Sequence, residues 1–276
     1  MTTTLCSGSI GQYLDSLCAM GMSPHTVRAY SSDLRAMASW LDLHPDAQAT
    51  TETRIATYLT THRSSWSANT TNRKLTAVRS WARFQGEPTF LENYRAPKAA
   101  DQEPHPIREG IPGIDRMLEI PVTPSKKALV ALCGLCGLRV SEACAVRPED
   151  IDIDRLLLRV RGKGDKTRYV PISRKAWMHI MPAVLDASIA GAVGRSTLVG
   201  TGERSARASI TSIARRAKLR RRVASHDLRA TFATAALDAT KDLLAVQQLL
   251  GHADPATTQI YTSVSEARRR DAVEAL

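Results

Sequence analysis

Residues able to cleave a phosphodiester occur in a fixed order along the second half of the chain. They stand in five short segments: Gly137–Glu142, Arg161–Gly164, His226–Arg229, Leu249–His252 and Tyr261. The segments supply a tyrosine hydroxyl as nucleophile, several permanent cations and two imidazoles that can carry protons. Such a set can break a phosphate ester without a metal ion, because side-chain cations stabilise the charge of the transition state.

Each segment also has an ordinary structural explanation when it is considered alone. His226 can cap a helix while Arg229 remains solvated, and Arg139 with Glu142 can form a surface ion pair. Lys163 at a hairpin tip can simply be solvated, and Lys166 competes with it for any role there. Tyr261 can be a half-buried packing residue. The chemical interpretation therefore depends on whether these residues belong to one site.

The composition indicates a basic globular protein that binds a polyanion. The chain has 276 residues, 43% of them hydrophobic, a net charge of +11 and a pI near 9.8. Nucleic acid and an anionic membrane surface both fit this charge. No apolar run reaches the roughly 18–20 residues that span a bilayer, and the N-terminus does not resemble a signal peptide. We therefore expect a cytoplasmic protein.

The cysteines favour a reducing compartment rather than a disulfide framework. Their number, five, is odd, and Cys133 and Cys136 form a Cys-x-x-Cys pair without a second Cys or His pair nearby. Small buried thiols are the better interpretation than a zinc site. The sequence also contains no phosphate-binding loop and no acidic cluster suited to two magnesium ions, so we expect no cofactor.

The pattern of apolar residues predicts two domains that are mainly α-helical, with a small β-hairpin in the second. Residues 1–95 are predicted to be helical, with an N-cap at Ser23 and the start of a further helix near Ser67. Residues 96–106 are rich in proline and polar residues and are predicted to be a linker. Residues 107–276 begin with helices, continue with strands near 156–160 and 168–172, and return to helices. Two domains joined in this way are expected to close on DNA as a C-shaped clamp.

Two basic surfaces are predicted to contact DNA. The helix after Ser67 carries four basic residues away from its apolar side: Arg73, Lys74, Arg79 and Arg83. The stretch 204–223 contains eight basic and no acidic residues, among them Arg215 and Arg216. A solvated charged face is the alternative for both, and the absence of acidic residues favours phosphate contact.

The five segments, in this order and spacing, resemble the tyrosine recombinase (phage integrase) family. The resemblance covers nearly the whole chain: residues 1–95 resemble a core-site DNA-binding domain and residues 107–276 a catalytic domain with a C-terminal tail helix. It implies that Tyr261 attacks the scissile phosphate and forms a 3′-phosphotyrosine. Arg139 and Arg229 would hold the non-bridging oxygens, a task suited to the planar and always charged guanidinium.

The resemblance implies further roles for the remaining residues. His226 would accept the tyrosine proton, Lys163 would protonate the leaving 5′-oxygen and His252 would donate a hydrogen bond to the phosphate. Glu142 would hold His226 or the neighbouring cations. The expected partners are double-stranded DNA carrying core-type sites, three further copies of the chain in a tetramer on DNA, and an accessory or directionality factor from host or phage.

The resemblance leaves the biological role open. The first helix starts near Ser9, so we expect a compact member without an N-terminal arm-site-binding domain. The short segment between Ile120 and Leu129 favours an integrase of a phage or mobile element over a Xer-like chromosome-dimer resolvase. A type IB topoisomerase shares the catalytic groups, and a non-catalytic DNA-binding regulator is the alternative from another class.

Overall fold

The computed structural model describes residues 7–46, 48–97, 105–162, 167–191 and 196–251. The chain divides into two compact units, Met1–Gln102 and Glu103–Leu276. The two units are described separately below.

The described residues of the first unit form four helices: α1 (Ser7–Ala19), α2 (Pro24–Leu43), α3 (Thr51–Thr61) and α4 (Ala68–Phe84). Hydroxyl side chains define where three of them begin. The oxygens of Ser23, Thr50 and Ser67 each accept a hydrogen bond from the main-chain N–H three residues later, at 3.1 to 3.2 Å. These bonds satisfy donors that the first turn of a helix leaves without a partner. The predicted cap at Ser23 and the predicted start of a helix near Ser67 are thus confirmed.

Apolar side chains from all four helices form the core of the first unit. Leu34 and Met37 of α2 and Ile55 of α3 are fully buried, as are most residues of the inner face of α4. The buried residues of α4 include Leu75, Val78, Trp81 and Ala82.

The prediction that Lys74 belongs to an exposed basic face of α4 is wrong. Lys74 is buried, and its Nζ donates to Asp33 Oδ1 of α2 at 2.9 Å while lying 4.5 Å from the centre of the Trp66 ring. Arg73 donates to both oxygens of the same carboxylate, at 2.8 and 3.0 Å. The prediction failed because α4 itself has no acidic residue on this side, and the buried carboxylate comes from another helix.

The other two arginines of this predicted face differ from each other. Arg79 donates from Nη2 to the carbonyls of Leu91 and Tyr94, at 2.6 and 3.0 Å, and so holds the chain that follows α4. Arg83 is exposed. Its contact with DNA stays a prediction.

Within its described residues, the second unit has three helices and a short 3₁₀ turn at Pro148–Asp150, then three strands, and then four further helices. The first helices are α5 (Gly110–Glu119), α6 (Pro124–Gly134) and α7 (Val140–Ala145). The strands are β1 (Ile151–Asp152), β2 (Leu157–Arg161) and β3 (Thr167–Pro171). The last helices are α8 (Arg174–Gly191), α9 (Glu203–Arg216), α10 (Ser225–Thr240) and α11 (Leu243–Leu250).

The three strands form one antiparallel sheet in the order β1-β2-β3. Leu158 of β2 pairs with Ile151 of β1 and with Val170 of β3. Because successive side chains of a strand alternate between the two faces, these three apolar residues point to the same side. All three are buried in the core of the second unit.

This core is centred on α6. Its residues 128–134 are all buried, without a polar side, which is the pattern of a helix surrounded by other elements. A smaller apolar cluster joins α10 to α11 through Ala230, Ala233, Leu237, Val246 and Leu250. It fixes the end of α11 against α10, and this end contributes to the site described below.

The predicted fold class is confirmed: the described residues are mainly helical with one small antiparallel sheet. The two main strands lie within one residue of their predicted positions. The two-residue strand β1 was missed, because two residues carry no recognisable alternation. Within the described residues, no helix is long and apolar enough to cross a membrane.

We predict that Asp33→Ala lowers the free energy of unfolding by about 3 kcal/mol, because it leaves the buried ammonium of Lys74 without a counter-charge. Urea denaturation of the full chain measures the effect. The control is Asp42→Ala, which removes an exposed carboxylate from the same helix and is expected to change stability by less than about 0.5 kcal/mol. Equal effects of the two substitutions would contradict the proposed importance of the buried pair.

Candidate functional site

A tight turn between α6 and α7 depends on Gly137. Its φ is +69°, and a Cβ atom there would lie 2.4 Å from the Phe232 ring of α10. Only glycine tolerates both this left-handed conformation and such a close approach. The turn brings the Gly137 carbonyl to α10 and places Arg139 as the N-cap residue of α7.

The start of α7 joins Arg139 to Glu142. Glu142 Oε2 accepts from the Arg139 main-chain N–H at 2.8 Å, and Oε1 accepts from Arg139 Nη1 at 3.0 Å. The carboxylate is buried, whereas the Arg139 side chain is 44% exposed. Arg139 is therefore held in a defined orientation and remains accessible to a phosphate.

Arg168 of β3 also binds Glu142, a contact that sequence reasoning missed. Its Nη1 and Nη2 donate to the two carboxylate oxygens at 2.9 and 2.8 Å. The sequence contained a signal for this contact. Arg168 is two residues before the buried Val170, so both side chains lie on the inner face of the strand. A charged side chain on the inner side of a strand requires a buried partner.

Arg229 of α10 is buried next to the same carboxylate. Its Nη1 lies 3.6 Å from Glu142 Oε2 and donates to the Gly137 carbonyl at 2.7 Å. Its Nη2 donates to the Leu250 carbonyl at the end of α11, also at 2.7 Å. In this arrangement Arg229 ties α10 to the α6–α7 turn and to α11, and its predicted contact with a phosphate stays a prediction.

Three guanidinium groups thus surround one carboxylate. Burial acts to raise the pKa of Glu142, but the hydrogen bonds from Arg168 and Arg139 and the charges of Arg168 and Arg229 outweigh it, so the pKa lies below its usual 4.5. Glu142 is ionised at neutral pH and balances one of the three positive charges. The site retains an excess of positive charge, which favours a bound phosphate.

His226 lies one residue after the start of α10. The helix begins at Ser225 with Ala224 as its N-cap residue. Asp227 accepts the Ala224 main-chain N–H at 2.8 Å. His226 is exposed, and partial desolvation, followed by the charge of Arg229, lowers the pKa of its imidazole below the usual 6.5. The imidazole is therefore neutral at pH 7 and can accept a proton.

The C-terminal end of α11 lies against Arg168. Gly251 ends the helix in the left-handed conformation, with φ of +65°, which glycine adopts without strain. Arg168 Nε donates to the Leu249 carbonyl of the last turn at 3.0 Å. The chain that continues from Gly251 to His252 and Tyr261 therefore starts next to Arg168 and Arg229.

Several predicted site residues lie outside the described ones, namely Lys163, Lys166, His252 and Tyr261. The structure brings Arg139, Glu142 and Arg229 together, and it places His226 on the same helix as Arg229. In the sequence Lys163 and Lys166 fall between β2 and β3, and β3 begins at Thr167, one residue before Arg168. Among the residues that the structure describes, no group of three or more His, Cys, Asp or Glu side chains could hold a metal ion.

The basic stretch after Gly202 forms helix α9 and the chain that follows it. Arg215 is exposed and lines a groove with Arg207, Thr211, Ser212 and Arg222. Arg216 is also exposed, and its Nη2 donates to the Pro121 carbonyl at 3.1 Å. Phosphate contact by this surface stays a prediction.

The arrangement can bind a phosphate and move protons near it. An accessible guanidinium at Arg139, fixed by a buried carboxylate, can donate to two phosphate oxygens. A neutral imidazole at His226 can act as a base. The described part of the site thus supplies charge stabilisation and proton transfer.

Comparison with known families matches most of the chain. Residues 114–268 match the phage integrase family, and residues 10–86 match the N-terminal SAM-like domain of phage integrases. Tyrosine recombinase XerC of Alcanivorax borkumensis is 31% identical over 262 residues, which cover 87% of this chain and 84% of the relative. XerC of Xylella fastidiosa strain M23 is 33% identical over 259 residues, covering 88% and 87%.

Solved structures share the fold at low sequence identity. A lambda integrase (75–356) dimer bound to a COC′ core site has a TM-score of 0.71 and 18% identity, with 93% of this chain and 94% of that chain covered. The XerH recombinase in a post-cleavage complex with palindromic difH has a TM-score of 0.70 and 19% identity, with 94% and 83% covered.

We predict that Glu142→Gln lowers the free energy of unfolding at pH 7 by about 3 kcal/mol, because Arg229 and Arg168 lose their counter-charge. The folded pKa of Glu142 lies below 4.5, so this stability is present above pH 4.5 and is lost as the pH falls through the folded pKa. Urea denaturation at several pH values should show the two proteins converging in acid. A difference that does not depend on pH would contradict this assignment.

Proposed function

Because this chain belongs to the phage integrase family of tyrosine recombinases, and is a site-specific recombinase, we propose the reaction that its residues carry out. The Tyr261 hydroxyl attacks the scissile phosphate, forms an O–P bond and breaks the bond to the 5′-oxygen. The product is a 3′-phosphotyrosine and a free 5′-hydroxyl. The 5′-hydroxyl of a second duplex then attacks the phosphotyrosine, releases Tyr261 and produces a Holliday junction.

The arrangement around Glu142 is the observation that supports this proposal most. It keeps Arg139 both oriented and accessible, and guanidinium groups are suited to the non-bridging oxygens of a five-coordinate phosphate. We assign Arg139 and Arg229 to these oxygens and His252 to a further hydrogen bond. Since the phosphotyrosine conserves the energy of the broken ester, the proposed cycle requires no ATP. Because side-chain cations stabilise the charge of the transition state, it also requires no metal ion.

Two proton transfers accompany the attack. The proton of Tyr261 passes to His226, whose neutral imidazole is available at pH 7. The leaving 5′-oxygen takes a proton from Lys163, with Lys166 as the other candidate on the same hairpin. In the second half of the reaction both protons return by the same groups.

Double-stranded DNA is the proposed substrate and partner. The exposed residues Arg83, Arg215 and Arg216 are proposed to contact its phosphates, as is Arg73, whose side chain is 50% exposed beside Asp33. We propose that the first unit, near residues 1–95, binds the core site and the second carries out the chemistry. Four copies would assemble on two sites, as exchange of two strand pairs requires.

For the biological role we propose integration and excision of a phage or mobile element, because the segment between Ile120 and Leu129 is short. A Xer-type role in resolving chromosome dimers is the second candidate, and the XerC relatives favour it. The DNA that the protein cleaves separates them: sites at the ends of an element support the first role, and a single site on the chromosome supports the second.

The test is covalent trapping on DNA. Purified protein is incubated with genomic DNA of its own organism, the reaction is stopped with denaturant, and the DNA joined to protein is sequenced. We expect one recurrent sequence, called here the trapped site. Absence of any covalent adduct would support a non-catalytic regulator, and relaxation without strand exchange on a two-site plasmid would support a topoisomerase.

We predict that Tyr261→Phe abolishes the adduct and leaves binding to the trapped site intact, because only the nucleophilic oxygen is removed. Denaturing gel electrophoresis measures the adduct, and fluorescence anisotropy measures binding. The matched control is Tyr169→Phe, which removes the hydroxyl of an exposed tyrosine on β3 and should leave the adduct unchanged. An adduct formed by the Tyr261→Phe protein would refute the assignment of the nucleophile.

We predict that the rate of adduct formation falls in acid with a midpoint below pH 6.5, because His226 must be neutral to accept a proton and its pKa is lowered. His226→Asn should reduce the rate by about 10²-fold or more and remove this acid limb. Single-turnover rates at saturating DNA between pH 5 and 8 measure both effects. An unchanged acid limb in the variant would show that another group is titrating.

A further inference from the structure

We propose that Arg168 is a positioning residue that holds the phosphate-binding arginine Arg139 in place through Glu142. The inference rests on the proposed function, because it concerns the same reaction. It adds a residue to which none of the five sequence segments assigns a role.

The first step of the argument is the contact between Arg168 and Glu142. Two parallel hydrogen bonds, at 2.9 and 2.8 Å, join the guanidinium to both carboxylate oxygens. This geometry fixes the carboxylate in one plane, whereas a single hydrogen bond would leave it free to rotate. Both groups are shielded from solvent, with 13% and 6% of their side chains exposed, so water does not compete for them.

The second step is the contact between Glu142 and Arg139. The same two oxygens receive Arg139 Nη1 at 3.0 Å and its main-chain N–H at 2.8 Å. Without Arg168, the buried carboxylate would have lost its strongest charged partner and could turn toward solvent. The Arg139 side chain, 44% exposed, would then lose the anchor that restricts its orientation.

The third step is the support of Arg168 itself. Its Nε donates to the Leu249 carbonyl at 3.0 Å, so all three sides of the guanidinium are engaged. Gly251 lies directly against it: a Cβ atom there would be 2.8 Å from Arg168 Cδ and 3.1 Å from Nε. The end of α11 therefore supports Arg168, Arg168 supports Glu142, and Glu142 supports Arg139.

The experiment compares two substrates that contain the trapped site in a nicked duplex. One has the natural scissile phosphate, and the other has a methylphosphonate at that position, in which one charged oxygen is replaced by a methyl group. The neutral linkage requires less cationic stabilisation, so a defect in the phosphate-binding arginine should matter less on it. Each variant is compared with the wild-type protein on the same substrate.

For Arg168→Gln we expect single-turnover adduct formation on the phosphate to fall by about 10²-fold, the scale of losing one oriented donor. On the methylphosphonate the rate of adduct formation should be about threefold or less below that of the wild type, and DNA affinity should change little. A purely structural defect would lower both rates equally. A wild-type rate on the phosphate, or an equal deficit on both substrates, would overturn the proposal.

Two further variants decide the matter if Arg168→Gln does not fold. Arg168→Lys keeps a positive charge beside Glu142 but has no planar fork, so it should show the same preference for the methylphosphonate. Gly251→Ala retains every charged group, but its added Cβ atom would displace the Arg168 side chain. We expect this variant to show the same preference for the methylphosphonate substrate. A wild-type rate for Arg168→Lys would show that charge alone suffices and would refute a positioning role.

The matched control is Arg159→Gln. Arg159 lies on the adjacent strand β2 opposite Tyr169 and donates from Nε and Nη2 to Asp150, at 3.2 and 2.9 Å. The substitution removes an arginine–carboxylate pair from the same sheet and leaves the contacts of Glu142 unchanged. Adduct formation on both substrates should therefore proceed at the wild-type rates. Failure of the wild-type protein to form any adduct would instead count against the proposed function.

Discussion

The buried carboxylate of Glu142 is the constraint on which the rest of the second unit depends. It lies at the start of α7 and binds Arg139 from its own helix and Arg168 from β3, with Arg229 of α10 beside it. A buried ion is costly unless its hydrogen-bonding capacity is filled. The helices and strand that supply its partners must therefore occupy fixed positions, and this requirement defines the site.

Main-chain carbonyls complete the arrangement. The last turn of a helix has carbonyl groups without partners inside the helix and favours a nearby positive charge. At the end of α11 these groups are used by two arginines, Arg168 at Leu249 and Arg229 at Leu250. These two hydrogen bonds attach the sheet and α10 to the end of α11. From this end the chain continues toward His252 and Tyr261.

Buried ion pairs in the two units have different consequences. In the first unit, Asp33 uses Lys74 and Arg73 to join α2 to α4, so charges that the sequence suggests for a DNA-binding face contribute to stability. In the second unit, Glu142 holds Arg139 but leaves much of its side chain accessible. The same kind of contact stabilises the fold in one place and orients a group for chemistry in the other.

The sequence by itself determined the mainly helical fold, the two main strands, the cap at Ser23 and the family, because these depend on residues close together in the chain or on several motifs in order. It also identified Arg139, Glu142 and Arg229 as candidates. Only the tertiary structure decided which charges pair: it buried Lys74 against Asp33 and brought Arg168 to Glu142. These pairs join residues 26 or more positions apart, and the pattern around either partner contains no information about the other.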